Sequence, residues 1–164
     1  MKGFVIFDTN IEKEKRFVVK RKTVTDALAG GLIKIKDLKI IRQAWIITDS
    51  ENRYTGRIRE TVSDNKTFYE HTVKHRVYKN GSKGDLEVTT EIDKDTFELL
   101  LRKYKNVPLQ SKKRFYINDH TGDYGKYIIT VDFPDNNADN AYVEYELKDG
   151  EKDINNFIKP SWLV

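Results

Sequence analysis

Apolar residues in this chain recur mostly at every second position. Alternation or near-alternation runs through Arg57-Ile58-Arg59, Glu70 to Val77, Leu86 to Ile92, Lys112 to Ile117, Tyr127 to Phe133 and Ala141 to Leu147. Many of the apolar members are β-branched or aromatic, so each stretch is predicted to be a strand. Turn-forming residues separate the stretches: Asp49-Ser50-Glu51-Asn52, Ser63-Asp64-Asn65, Asn80-Gly81-Ser82-Lys83-Gly84, Asp119 to Gly122 and Asp135-Asn136-Asn137. Helical spacing is rarer. Asp93 to Tyr104 opens with acidic capping residues, sets Phe97, Leu100, Leu101 and Tyr104 on one face and ends in basic residues that suit a helix C-terminus. Thr23 to Gly30 and Lys152 to Ile158 are shorter helical candidates, the first ended by Gly30-Gly31. The pattern predicts an α+β protein built on a mainly antiparallel sheet with a few covering helices.

Composition bounds the class without choosing the function. A chain of 164 residues suits one domain, and with no linker, repeat or low-complexity segment the whole chain is read as a single domain. Folding at this size buries about 70% of the surface of the unfolded chain, so no staple is needed. Zero Cys excludes disulfides, Cys-based zinc sites and thiol chemistry. No apolar run approaches the ~18 residues of a membrane span, and Met1 to Asn10 lacks the basic start and long apolar stretch of a signal peptide; a soluble, cytoplasmic protein without a membrane partner is expected. Phe4-Val5-Ile6-Phe7 suggests an extra N-terminal strand within residues 1–10. The 30 Lys and Arg exceed the 26 Asp and Glu by only four, which is no polycationic footprint despite a pI near 9.0.

The charges acquire meaning from their places on the strands. Alternate positions put Glu12, Glu14 and Arg16 on one face, then Arg57 and Arg59, then Glu70, Thr72, Lys74 and Arg76. Glu87, Thr89 and Glu91 follow, then Lys112 and Arg114, Thr130 and Asp132, and Glu144 and Glu146. The opposite face is mainly apolar, from Phe17 through Ile58, Val73, Val88, Phe115, Val131 and Val143 to Leu147. If the sheet closes into a barrel, acids and bases converge on an interior suited to metal ions and a polyanion. A flat sheet with a solvated, salt-bridged face gives the same alternation, and periodicity does not choose between them.

Ordered motifs add a family resemblance. Glu12-Lys13-Glu14-Lys15-Arg16 resembles the opening ExExK signature of the CYTH, or triphosphate tunnel metalloenzyme, family. Ile41-Arg42-Gln43-Ala44-Trp45-Ile46 is similar to that family's I-x-Q-G-Y-L strand, Arg57-Ile58-Arg59 to R-x-R, and Thr72-Val73-Lys74 to T-x-K. Glu87 to Ile92 resembles an acidic strand followed by a helix, Lys112-Lys113-Arg114-Phe115 resembles K-x-R-Y, and Tyr127 to Phe133 the strand with a central Asp. Glu144-Tyr145-Glu146 resembles the late E-x-E strand and Pro160-Ser161-Trp162-Leu163 the P-x-W-L segment, so the matches span residues 11 to 163 in family order. The departures are Arg16 for Lys, Ala44 for Gly, Trp45 for Tyr, Thr89 and Thr130 where glutamates are expected, and an end just after Trp162.

The resemblance implies a closed β-tunnel and a divalent-metal-dependent triphosphatase acting on inorganic triphosphate, a nucleoside triphosphate or a triphosphate ester. Arg16, Arg57, Arg59, Lys74, Arg76, Lys112 and Arg114 are the expected phosphate grip, the arginines through planar forks. Glu12, Glu14, Glu87, Asp132, Glu144 and Glu146 are the expected ligands of Mg2+ or Mn2+, with Glu91 in reserve for Thr89. Glu146 or Glu144 is the expected base that takes a proton from attacking water. The resemblance equally allows a nucleotidyl cyclase, and the lost glutamates suit a binding or sequestering module that does not turn over its ligand. An RNA-binding barrel is a weaker alternative, because most of the nine Tyr and eight Phe lie on the apolar pattern. His71 and His75 share the i, i+4 spacing of a metal pair, but on a strand that faces both away from the basic row, and there is no Walker A or GxGxxG sequence.

Overall fold

In the computed structural model, residues 3–8, 14–48, 54–79, 82–104, 108–148 and 156–163 are described, with the backbone alone at 3–8, 47–48, 54–55, 74–79 and 82–86. In chain order the elements are β1 (Gly3–Asp8), β2 (Glu14–Lys20), α1 (Arg21–Ala29), β3 (Ile33–Thr48), β4 (Tyr54–Ser63), β5 (Lys66–Lys79), β6 (Ser82–Ile92), α2 (Lys94–Lys103), β7 (Gln110–Asp119), β8 (Tyr127–Pro134) and β9 (Asn140–Leu147). Each stretch read as a strand from its alternation is one, and Phe4 to Phe7 does form an extra strand. The hydrogen-bonded order is β1-β6-β5-β4-β3-β7-β8-β9-β2, and β1 with β6, β2 with β9, β4 with β5, β5 with β6, β7 with β8 and β8 with β9 pair antiparallel. The expected α+β class holds, but among the described residues the expected closure does not come from hydrogen bonds: the order begins at β1 and ends at β2. The extra strand is the physical reason on one side, since β1 takes the outer edge of β6 from Gly3↔Thr90 to Asp8↔Asp85. Of the third helical candidate, residues 156–158 are non-helical and the preceding ones lie outside the described residues.

The chain divides into two compact units, Met1–Ile11 with Ile41–Ser111 and Glu12–Ile40 with Lys112–Val164, here unit 1 and unit 2. In unit 1 the β4–β5 hairpin turns on Asp64 and Asn65, both at positive φ (51° and 64°), the backbone that a two-residue loop needs to match strand twist. Helix α2 begins where the Asp93 carboxylate accepts the Thr96 N–H at 2.7 Å, a cap that satisfies one otherwise orphaned donor. Its Phe97 is fully buried against Ala44, Ile46 and Ile58, with Tyr69, Ile92, Leu100, Leu101 and Tyr104 around them. On the same side Arg42 clasps Glu60 through two bonds of 2.6 and 2.8 Å, and this clasp, ahead of the cost of burial, holds the Glu60 carboxyl below its usual range. The helix thus covers the even-numbered residues of β4 and leaves Arg57 and Arg59 on the other face.

Unit 2 packs α1 on the odd-numbered side of β2, β9, β8 and β7. Val24 and Ala27 of the helix join Val19, Ile117, Ile129, Val131, Ala141, Val143, Tyr145 and Leu147 in one core. The helix ends in a Schellman motif, Leu32 N–H to Ala27 C=O at 3.0 Å and Gly31 N–H to Leu28 C=O at 3.2 Å, with Gly31 at φ +73°. Lys20 supplies no side-chain cap at the start. Arg21 instead turns outward from the first helical position: its guanidinium donates to the carbonyls of Asn140, Pro134 and Asn137 and lies 4.6 Å above the Phe133 ring. The Pro160 to Leu163 segment is anchored by Trp162, whose Nε1 donates to Asp119 Oδ2 at 3.0 Å. The Tyr145 hydroxyl donates to the same carboxylate oxygen, while Oδ1 caps Thr121 through its N–H and hydroxyl. One buried carboxylate therefore ties β7, β9 and the last described segment together, and burial, then that carboxylate, pushes the Tyr145 hydroxyl far above its usual range. No helix among the described residues is long and apolar enough to cross a membrane.

Candidate functional site

Strand register decides which charged side chains are neighbours, and alternation in unit 2 makes one face of four strands polar. Val18 stands opposite Tyr142, Arg16 opposite Glu144 and Glu14 opposite Glu146 across β2 and β9. On the next pairing Tyr142 meets Asp132, Glu144 meets Thr130 and Glu146 meets Ile128, and beyond it Asp132 meets Arg114 and Thr130 meets Tyr116. These residues all project away from the α1 side.

Two charge clusters form on this face. In the first, Arg16 donates Nε to Glu144 at 3.0 Å and lies 2.9 Å from Glu14 through Nη2. Glu14 and Glu144 are also hydrogen-bonded to each other, and burial, that bond and the repulsion of Glu144 raise the Glu14 carboxyl to about 7 against the pull of Arg16. The Glu14 carboxyl therefore keeps its proton up to near neutral pH. In the second cluster Asp132 accepts both arms of Arg114, at 2.8 and 2.9 Å, and the Lys112 ammonium at 2.8 Å. Burial would raise the Asp132 carboxyl, but the two cations outweigh it and hold it low; burial likewise opposes the Arg114 charge and Asp132 sustains it. With Asp132 14% exposed and its partners 17% and 19%, this bidentate triad is far better shielded than the Arg16 pairs.

Unit 1 presents a second polar face with different partners. Arg57 is opposite Thr72, and Arg59 is opposite Glu70, on β4 and β5; Thr72 is opposite Thr89, Lys74 opposite Glu87 and Arg76 opposite Asp85 on β5 and β6. Arg59 donates Nε and Nη2 to the Gln43 carbonyl oxygen at 3.0 and 2.6 Å. Arg57 donates Nη2 to Thr72 at 3.3 Å and lies 5.5 Å over the Trp45 ring. The Thr72 and Thr89 hydroxyls, both buried, bond at 3.0 Å, so a neutral pair occupies the place where the motif expects a carboxylate. His71 does face away from this row, between Ile58 and Thr90; burial lowers its pKa and its Nε2 is buried without a hydrogen-bond partner, which suits a neutral ring.

The structure thus brings Glu14, Arg16, Glu144 and Glu146 into one neighbourhood and Lys112, Arg114 and Asp132 into another, both in unit 2. It places Arg57, Arg59 and Glu87 on the polar face of unit 1. The side chains of Lys74 and Arg76 lie outside the described residues, although their strand positions do not, and Glu12 lies outside them altogether. Sequence reasoning missed Gln43 as the acceptor that orients Arg59, and Asp119 as the node under Tyr145 and Trp162. Gln43 had a signal, its place in the I-x-Q strand; Asp119 looked like a turn residue and its partners are 26 and 43 positions away.

Known structures with the same architecture complete the description. A putative adenylate cyclase from Bacillus halodurans matches with a TM-score of 0.54 at 17% identity, over 85% of this chain and 81% of the other. The PH1012 and PH1819 proteins of Pyrococcus horikoshii OT3 match with TM-scores of 0.53 and 0.52 at 14% and 16% identity, over 86% and 84% of this chain and 80% and 79% of theirs. The chain has a CYTH-like fold. Comparison by sequence adds nothing, since no family model and no curated protein matches.

Within this CYTH-like fold the donors for a divalent cation are unevenly placed. Among the described residues no group of three or more His, Cys, Asp and Glu side chains gathers to hold a metal. Glu14 and Glu144 nevertheless suit two positions of an oxygen-ligated site, because a hard cation relieves the crowding that raises Glu14. Asp132 suits it less, with its oxygens already taken by Arg114 and Lys112.

Proposed function

We propose that this chain is a divalent-metal-dependent triphosphatase of the CYTH type. The observation that carries the proposal is the crowded Glu14–Glu144 carboxyl pair beside Arg16, on the same face as the Lys112–Asp132–Arg114 triad. Glu14 and Glu144 hold the cation, with Glu12 added by the motif. Once bound there, Mg2+ or Mn2+ supplies neutralising charge and Lewis acidity toward a phosphoryl oxygen.

The protein's own groups do the rest. Arg16, Lys112 and Arg114 are the phosphate-binding cations of unit 2, and those of unit 1 are Arg57 and Arg59 on β4 with Lys74 and Arg76 on the neighbouring β5. Arginine forks match phosphate geometry and retain their charge at any working pH. Gln43 and Thr72 hold Arg59 and Arg57 by neutral bonds, so the forks are aimed before a ligand arrives. Glu146, opposite Glu14 and one alternation from Glu144, accepts the proton of the attacking water, with Glu144 as the second candidate. Glu87 has a supporting place opposite Lys74.

The test is to incubate the protein with tripolyphosphate, ATP or GTP and Mg2+ or Mn2+, and to quantify phosphate, pyrophosphate and cyclic nucleotide. Phosphate release that Glu144→Gln abolishes is the expected result. Pyrophosphate with a cyclic product would replace the hydrolase by a cyclase, the activity named for the Bacillus halodurans structure. Tight binding without turnover would establish the binding module, which the neutral Thr72–Thr89 pair favours.

A further inference from the structure

The polar face of unit 2 is not uniformly polar. Val18 and Tyr142 stand directly opposite each other on β2 and β9, and both remain open, at 61% and 45% exposure. An outward face normally carries polar side chains, and the core of this unit lies on the other side of the same strands. The pair is also next to the charged groups. Tyr142 is opposite Asp132, which is opposite Arg114, while Arg16 and Glu144 are the next outward residues along β2 and β9, about 6.8 Å further on. Along β9 the face therefore reads ring, acid, acid: Tyr142, Glu144, Glu146. Tyr116 also lies on this face, but its ring already takes the Lys39 ammonium at 4.8 Å. Ile128, at the Glu146 end, is an aliphatic group opposite a carboxylate rather than another apolar residue.

We infer that the Val18–Tyr142 pair is a stacking platform for the planar organic part of a triphosphate ester, and that it makes the site selective for an aromatic-base nucleotide over inorganic triphosphate. The inference rests on the triphosphate reading above and specifies its substrate. A planar base on the Tyr142 ring points its phosphate chain along β9 toward Arg16, Glu144 and Glu146; Arg114 is level with the ring two strands away, and Lys112 lies one alternation further from Glu144. The β-branched Val18 supplies apolar contact beneath the ring edge. The selectivity is independent of base identity, because every base has a stacking face.

The experiment measures binding of ATP and of sodium tripolyphosphate to the full chain by calorimetry, in EDTA and in Mg2+, with turnover of both followed in parallel. Tyr142→Ala is expected to weaken ATP about tenfold, the cost of one lost base stack, and to leave tripolyphosphate within twofold. Tyr142→Phe should bind ATP as the parent does, and Val18→Ala should give a smaller loss confined to ATP; if Tyr142→Ala does not fold, Val18→Ala decides by the same ratio. Equal losses for both probes, no loss for either, or a parent that binds tripolyphosphate but not ATP overturns the platform and leaves the triphosphate reading standing. A parent that binds neither probe overturns both.

Discussion

On the polar face of unit 2, cations are bonded to carboxylates; on that of unit 1, the bonds that Arg57 and Arg59 make to Thr72 and Gln43 end on neutral oxygens. A bond to a carboxylate orients a guanidinium and also cancels its charge. A bond to an amide or hydroxyl orients it and cancels nothing. The contrast traces in part to single residues: Asp132 is opposite Arg114, whereas Thr89, where the motif expects an acid, pairs with Thr72. The bonds described on the two faces therefore differ in kind: carboxylates answer Arg16, Lys112 and Arg114 in unit 2, while a hydroxyl and an amide oxygen help to orient Arg57 and Arg59 in unit 1.

The sharpest way to break this contrast is to remove the carboxylate that serves two cations. Asp132→Ala should leave Lys112 and Arg114 facing each other in a poorly solvated place, costing about 3 kcal/mol and lowering Tm by roughly 10 °C, read by urea and thermal denaturation. Gln43→Leu is the matching change in unit 1. It strips Arg59 of an acceptor and should cost about 2 kcal/mol, while raising KM for tripolyphosphate more than it lowers kcat.

A third measurement uses pH. The native Glu14 carboxyl titrates near 7, above its ordinary 4.5, so between those values the folded state binds more protons than the unfolded chain and stability falls as pH rises. Glu14→Gln should flatten that slope, making the variant relatively more stable at pH 8 than at pH 4. The difference should be on the order of 1 kcal/mol, because solvent screens this half-exposed group. The smallest effect belongs to the neutral pair. Thr89→Val should cost about 1 kcal/mol or less, and Thr72→Val with Thr89→Val should cost less than the sum of the two singles, since no buried hydroxyl is then left without its mate.

Much of this molecule is written locally. Period-two patterning located most of the strands because each buries one face only, and α2 was readable from Asp93 to Tyr104 because cap, apolar stripe and basic end agree. The alternation even sorted the polar face correctly, since Glu14, Arg16, Asp132, Arg114, Glu144 and Glu146 do share a side. What alternation lacks is pairing. It could not say that Asp132 stands opposite Arg114 and accepts both arms of its guanidinium. Nor could it show that β3 begins as early as Ile33: Ile35, Leu38 and Ile40 are exposed apolar residues there, so no buried stripe marks the segment. The Asp119 node joins residues far apart in sequence, and only the folded chain brings them together.

The grip of Arg21 on three carbonyls between Pro134 and Asn140 has a consequence for the whole polar face. That loop is the counter that sets how many residues separate β8 from β9, and a slip of one would send Glu144 and Glu146 to the greasy side while Asp132 kept its place. A single guanidinium, reaching from the first turn of α1, works as the indexing pin of that face.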